Sequence, residues 1–134
     1  MKDMNVICNY IDAVNRADVD ELYALMSDDY LFIDAHDNHV YGKDAMRESW
    51  TGYFAMFPDY RIEVEEIFMK GSSACLLGYA SGTYRGLKDD AGSNYWRIPA
   101  AWKAAAANGQ VAFWQVFADN IIVMDIINRI DKKI

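Results

Sequence analysis

Few side chains in this sequence combine reactive chemistry with a context that would give them a task. Asp34 closes the run Tyr30-Leu31-Phe32-Ile33. Alternation with a period of two puts Tyr30, Phe32 and Asp34 on one face of a strand, so the carboxyl would share an apolar cavity with Phe32. Desolvation there would raise its pKa and make it a usable general base near neutral pH. The competing assignment is a strand-end aspartate that caps the following loop. Tyr10 falls on the apolar side of a helical pattern, where its hydroxyl would act as an acid or oxyanion donor, or else pack as an ordinary core tyrosine. His36 is a second acid–base candidate beside Asp34. Asp119, with Asn120, reads as the N-cap of a last helix.

Asp34-x-His36-x-x-His39, with Asp37 inside it, has the composition of a metal cluster. It lies on a short polar stretch, and no distant element adds a further His or Cys to complete it, so no metal is expected. No Gly-rich phosphate loop, nucleophile elbow or Ser/His/Asp spacing is present, and no cofactor is expected. Phe32, Trp50, Tyr53, Trp96, Trp102 and Trp114 would either line a binding cavity or fill the core. Arg97 and Lys103 stand among apolar strand residues, positioned to meet an anionic substrate group or to lie on an edge. Cys8 and Cys75 share no CxxC and read as buried or half-buried free thiols.

The elements that must position these groups follow from periodicity. Val6, Ile7, Tyr10, Ile11 and Val14 form one face of a helix over Met4–Ala17. Asp18 and Glu21 make a capping box for a short second helix, and Asp28-Asp29 is expected to turn the chain into a strand over Tyr30–Asp34. A polar loop with His36 and His39 leads through Gly42 to a third helix over Lys43–Phe57, which Pro58 stops. Strands are expected over Tyr60–Lys70, with a bulge near Glu65-Glu66, and over Ser73–Arg85, with bends at Gly78 and Gly82. Lys88–Ser93 is a polar loop. Trp102–Ala107, after a kink at Pro99, and Val111–Ala118 form a hairpin about Asn108-Gly109. Ile122, Ile126, Ile127 and Ile130 mark the buried side of a closing helix. The expected architecture is α+β: three N-terminal helices on the concave side of a cone-shaped, mostly antiparallel sheet, in one domain spanning 1–134.

The 134 residues carry 13 Lys+Arg against 20 Asp+Glu, a net charge of −7 that disfavours nucleic acid and anionic membrane surfaces as partners. Hydrophobic residues at 53% and aromatics at 14% suit a globular chain with a lined cavity. No long apolar run points to a membrane span or secretory signal, which makes the cytoplasm the expected location.

Tyr10-Ile11-Asp12-Ala13-Val14-Asn15, Ala17-Asp18-Val19-Asp20 and Leu25-Met26-Ser27-Asp28-Asp29, then Gly42 with Ala45-Met46-Arg47-Glu48, and finally Trp114-Gln115-Val116-Phe117-Ala118-Asp119 resemble one family. It is the ketosteroid-isomerase, nuclear-transport-factor-like superfamily, and within it the SnoaL-like polyketide-cyclase group. The resemblance implies a cystatin-like α+β barrel and a homodimer formed through the outer sheet face, where Phe113 and Phe117 would otherwise be exposed. It also implies Tyr10 as oxyanion donor, Asp34 as general base, Trp50 at the place of a pocket tyrosine and Asp119 as the closing acid. The family's second oxyanion donor would fall near Ala101 or Lys103, where no acid stands. The expected function is a small-molecule-binding domain. The resemblance extends this expectation to a cofactor-free isomerase, cyclase or lyase in which Asp34 takes a proton beside a carbonyl and Tyr10 holds the enolate. A non-catalytic ligand-binding or orphan dimeric module is the alternative.

Overall fold

The computed structural model describes residues 2–86 and 94–131, so the expected Lys88–Ser93 loop lies outside the described residues. The fold is α+β. Helices α1 (Lys2–Asn15) and α2 (Val19–Leu25) come first, then strands β1 (Met26–Ile33) and β2 (His39–Tyr41) and helix α3 (Lys43–Met56). Strands β3 (Arg61–Lys70), β4 (Ser73–Thr83), β5 (Tyr95–Ala107) and β6 (Gln110–Ala118) follow, and helix α4 (Ile121–Asp131) ends the described chain. The sheet order is β2-β1-β6-β5-β4-β3, antiparallel except for the β1–β6 pair.

Local chemistry sets the boundaries. Helix α1 ends where Ala17 turns left-handed at φ 51°, with Asp18 N–H donating to the Ala13 carbonyl and Ala17 N–H to that of Val14. These crossed bonds satisfy carbonyls that the helix end would otherwise leave open. Asp18 then caps α2, its side chain accepting from Glu21 N–H at 3.1 Å. Asn108 and Gly109 take positive φ of 53° and 78°, the tight hairpin turn that joins β5 to β6. Asn15 clamps α1 to the edge strand β3: its side chain donates to the Ile62 carbonyl and accepts from Ile62 N–H, at 3.0 and 2.7 Å.

The bulge expected near Glu65-Glu66 is present, since the β3–β4 register slips between Val64 and Glu66. Gly78 stands opposite it. A Cβ there would lie 1.8 Å from the Glu63 carbonyl oxygen, so the bulge brings two backbones too close for any side chain. At Gly82 a Cβ would crowd Phe57 and the Trp96 indole, at 3.3 and 3.2 Å. That glycine leaves room for Trp96 to lie across the strand.

Seven expectations are corrected. Strand β1 begins at Met26, not Tyr30. Asp28-Asp29 does not turn the chain but lies within the strand, where the β1–β6 register is irregular between Met26 and Leu31. Asp34 falls just past the strand's end. His39 belongs to β2, paired with Ile33, because the loop doubles back on β1. Strand β4 ends at Thr83, and Tyr84–Gly86 is a short 3-10 turn. Strand β5 runs unbroken through Pro99 from Tyr95. Pairing with β6 starts only at Ala100, so Pro99 sits where β5 has a single neighbour and its missing N–H is tolerated. In α4, Val123 and Ile126 are buried while Ile122 is 53% exposed, because the inward stripe runs through 123, 126, 127 and 130.

The core lies between the helices and one sheet face, around Tyr10, Leu22, Met26, Leu76, Trp102 and Trp114. Burial along β5 alternates almost perfectly, so Trp96, Ile98, Ala100, Trp102, Ala104 and Ala106 face inward. The opposite face carries Arg97, Lys103 and, on β6, Phe117.

Candidate functional site

A cavity of about 220 Å³ opens where the helices leave one end of the sheet uncovered. Helix α3 contributes Met46, Ser49, Trp50 and Tyr53, one helical stripe facing the sheet. Strands β5 and β6 contribute Trp96, Ile98 and Trp102, and Trp114, Val116 and Ala118, each set spaced by even numbers as one strand face requires. Phe32 of β1, Ala80 of β4 and Tyr60 complete the wall. Asp34, Ala35 and His36, just past the end of β1, and Asn120, just before α4, form the polar mouth. Thus the cavity gathers all six aromatic residues nominated for binding, including every tryptophan in the chain.

The rings pack on one another as well as on the space between them. Trp50 stacks on Phe54 and meets Tyr53 edge-on, and Tyr53 in turn meets Tyr60 edge-on with centroids 4.9 Å apart. The Trp102 indole donates to the Tyr60 hydroxyl. Burial pushes the phenols of Tyr60 and Tyr53 above their ordinary range, so both stay neutral. Trp96 is 3% exposed, and its indole N–H is the one buried side-chain polar atom among the described residues without a hydrogen-bond partner. Among the described residues no Lys or Arg lines the wall.

Tyr10 does not line this cavity. It is fully buried beneath Trp50, whose indole donates to its hydroxyl at 3.0 Å, and that hydroxyl shares a 2.5 Å hydrogen bond with Tyr30. Burial raises both phenols, which remain protonated. The hydroxyl is therefore occupied in holding Trp50 and is not presented to a substrate. The sequence pattern placed Tyr10 on the buried side correctly; it could not show that Tyr30, on the next element but one, would meet it there.

Asp34 does lie on the wall, in a state opposite to the expected one. Its Oδ1 accepts from the backbone N–H of His36 and of Asn38, both at 2.9 Å, and its Oδ2 accepts from the Asn38 side chain at 3.0 Å. Partial burial pushes the carboxyl's pKa up. The bonds from Asn38 and His36, with the His36 imidazole nearby, push it down further and leave it below its ordinary value. The expected raised pKa is corrected: hydrogen bonds to the charged form outweigh desolvation, and Asp34 is a fixed anion that caps its own loop.

His36 is exposed at the mouth. His39 is engaged outside the cavity with Asp37 and Tyr41. Among the described residues no group of three or more His, Cys, Asp or Glu is disposed to hold a metal. Asp119 is exposed, does not line the cavity and accepts from Ile121 N–H at 3.1 Å, which makes it a cap of α4. Arg97 and Lys103 belong to the outer face, where Arg97 pairs with Glu63 and lies over the Tyr79 ring. Cys8 and Cys75 are free but exposed, not buried. Tyr60 and Asn120 add to the expected set: Tyr60, the first residue of the expected strand Tyr60–Lys70, lies just before β3, and Asn120, expected with Asp119 as a cap, lies just before α4.

A model of the SnoaL-like domain matches residues 7–124. The chain belongs to the SnoaL-like family. A candidate SnoaL-like polyketide cyclase of Shewanella putrefaciens superposes with a TM-score of 0.80 at 17% identity, covering 96% of this chain and 87% of its own. An LEH-like epoxide hydrolase of M. tuberculosis gives 0.78 at 11% identity, covering 96% and 90%. A protein of Catenulispora acidiphila with a ketosteroid isomerase-like fold, in complex with trimethylamine, gives 0.77 at 13%, covering 90% and 89%. No curated protein matches the sequence. At these identities the SnoaL-like likeness carries the fold, and that fold serves cyclase and hydrolase names alike. Among the described residues no helix is long and apolar enough to cross a membrane.

Proposed function

We propose that this SnoaL-like protein binds a compact organic molecule in its aromatic cavity. The observation that carries this reading is the convergence of all four tryptophans on one space from α3, β5 and β6. A core that needed only filling would not leave 220 Å³ among them. The size constrains the ligand: cavities near 150 Å³ take benzene, and drug-sized sites begin at roughly 300 Å³. A single substituted ring or a small branched head group fits, and a polycyclic steroid does not. The trimethylamine bound by the Catenulispora protein is of this compact kind.

Binding is favoured over proton transfer by the Asp34–Tyr10 pair. That chemistry needs a base whose pKa approaches the working pH and a free donor aimed at the developing charge. Asp34 is held below its ordinary pKa, and Tyr10 is committed to Tyr30 and Trp50. The same reading includes a homodimer, supported by an outer sheet face that leaves Phe68, Tyr95 and Phe117 about half exposed. Sedimentation should then give twice the 15.3 kDa chain mass, and a monomer would remove this part of the reading.

A thermal-shift screen of monocyclic phenols, ketones and amines tests the binding proposal. Ligands should raise the melting temperature of the wild type by mass action and not that of Ala118→Phe, which fills the half-buried mouth. Equal shifts in both proteins, or none in either, would overturn it.

A further inference from the structure

Resting on the binding reading above, we infer that the cavity selects a small organic cation, a tertiary or quaternary ammonium group, with the aromatic wall as its cage and Asp34 as its counter-charge. Three independent features agree. Seven of the seventeen lining residues are Trp, Tyr or Phe, and the faces of such rings attract a desolvated ammonium more than any neutral group of the same shape. Among the described residues the cavity is lined by one carboxylate and by no Lys or Arg. That carboxylate takes its hydrogen bonds from two backbone N–H groups and an amide, all neutral, with the His36 imidazole as its titratable neighbour on the wall. No Lys or Arg pairs with it among the described ion pairs.

Other ligand classes fit less well. An anion would meet Asp34 with no Lys or Arg among the described lining residues and only the His36 imidazole to offset it, on a chain of net charge −7. A purely apolar molecule would use the rings but leave an ionised carboxylate beside it at the mouth, partly stripped of water. An ammonium with its methyl groups among the rings and its charge toward the mouth satisfies both ends. Three of the roughly four lone-pair positions on the Asp34 carboxylate are already taken by the loop. The attraction is therefore charge to charge and requires no N–H on the ligand, which is why a fully methylated nitrogen is acceptable.

The test uses choline and 3,3-dimethylbutan-1-ol, which replaces the quaternary nitrogen with carbon and so differs in charge but hardly in shape. Titration calorimetry on the full chain should show choline at least about tenfold tighter, as expected for a partly desolvated cation–π cage. In Asp34→Asn that ratio should fall to about threefold or less, since the charge pairing that distinguishes the two probes is removed. If Asp34→Asn does not fold, Phe32→Leu takes its place: the preference for choline over the alcohol should fall as one ring of the cage is lost. An alcohol that binds the wild type as well as choline does would overturn cation selection. So would a ratio that survives Asp34→Asn, or failure of both probes while neutral monocyclic compounds still bind. In each case the cavity itself would stand as a binding site; only an empty monocyclic screen would remove that as well.

Discussion

The closed end of the cavity and its open mouth use similar polar side chains to opposite effect. At the closed end Tyr10, Tyr30 and the Trp50 indole bond to one another, fully buried, and offer nothing outward. At the mouth Asp34, His36 and Asn120 line the opening, and Asp34 keeps a full charge while it organises its loop. Polar groups that satisfy each other give a rigid wall; polar groups satisfied only by neutral donors retain a field that a ligand can feel. The residues that resemblance to the isomerases would pair as acid and base are thus divided between a scaffold and a mouth.

The largest effect should come from removing the ring that joins the two ends. Trp50→Ala takes away a buried indole, its stack on Phe54 and the partner of Tyr10. Chemical denaturation should show a loss of about 3–5 kcal/mol, and ligand binding should disappear with it. Tyr10→Phe is the sharper variant. It leaves the Trp50 N–H and Tyr30 hydroxyl without their shared partner, and stability should fall by about 2 kcal/mol. Because Tyr10 does not line the cavity, affinity for a bound compound should change far less than in Trp50→Ala. A Tyr10→Phe protein of normal stability that no longer binds would reverse the roles given to the two ends.

Asp34→Asn should cost about 1 kcal/mol at neutral pH through weakened loop hydrogen bonds. Its pH dependence has a definite sign. The folded carboxyl titrates below its ordinary value, so the stabilisation is fully present above about pH 4 and drains away as pH falls through the folded pKa. The stability difference between wild type and Asp34→Asn should be constant from neutral pH down to mildly acidic pH and shrink below about pH 4. A difference that changes between pH 6 and 8 would restore Asp34 as a raised-pKa base. The smallest effect belongs to Asp119→Ala, a lost α4 cap of about 0.5–1 kcal/mol with ligand affinity unchanged.

The α+β architecture was legible because long amphipathic patterns carry it. The stripe of α3, the alternation in β6 and the Asn108-Gly109 turn need only local sequence. The aromatic wall was legible for the same reason: Trp50 and Tyr53 share a helical stripe, and Trp96 and Trp102 share a strand face. What sequence could not show is who meets whom over long separations. Tyr10 meets Tyr30 across 20 residues and Trp50 across 40. The state of Asp34 was hidden differently. Its partners lie within four residues, but whether the loop wraps around the carboxylate depends on the left-handed turn at Asp37, φ 65°, and on the pairing of β2 back onto β1. Burial alone predicts a raised pKa; the wrapped loop reverses it.

The most direct measurement follows the four indole N–H signals of ¹⁵N-labelled protein as the most stabilising compound from the screen is titrated in. All four tryptophans line one cavity, so binding there should move all four signals along a single saturation curve. Trp96 should shift most if its unpartnered N–H gains an acceptor from the ligand. Saturable binding that leaves the four indole signals in place would put the ligand elsewhere and contradict the assignment of this cavity as the functional site.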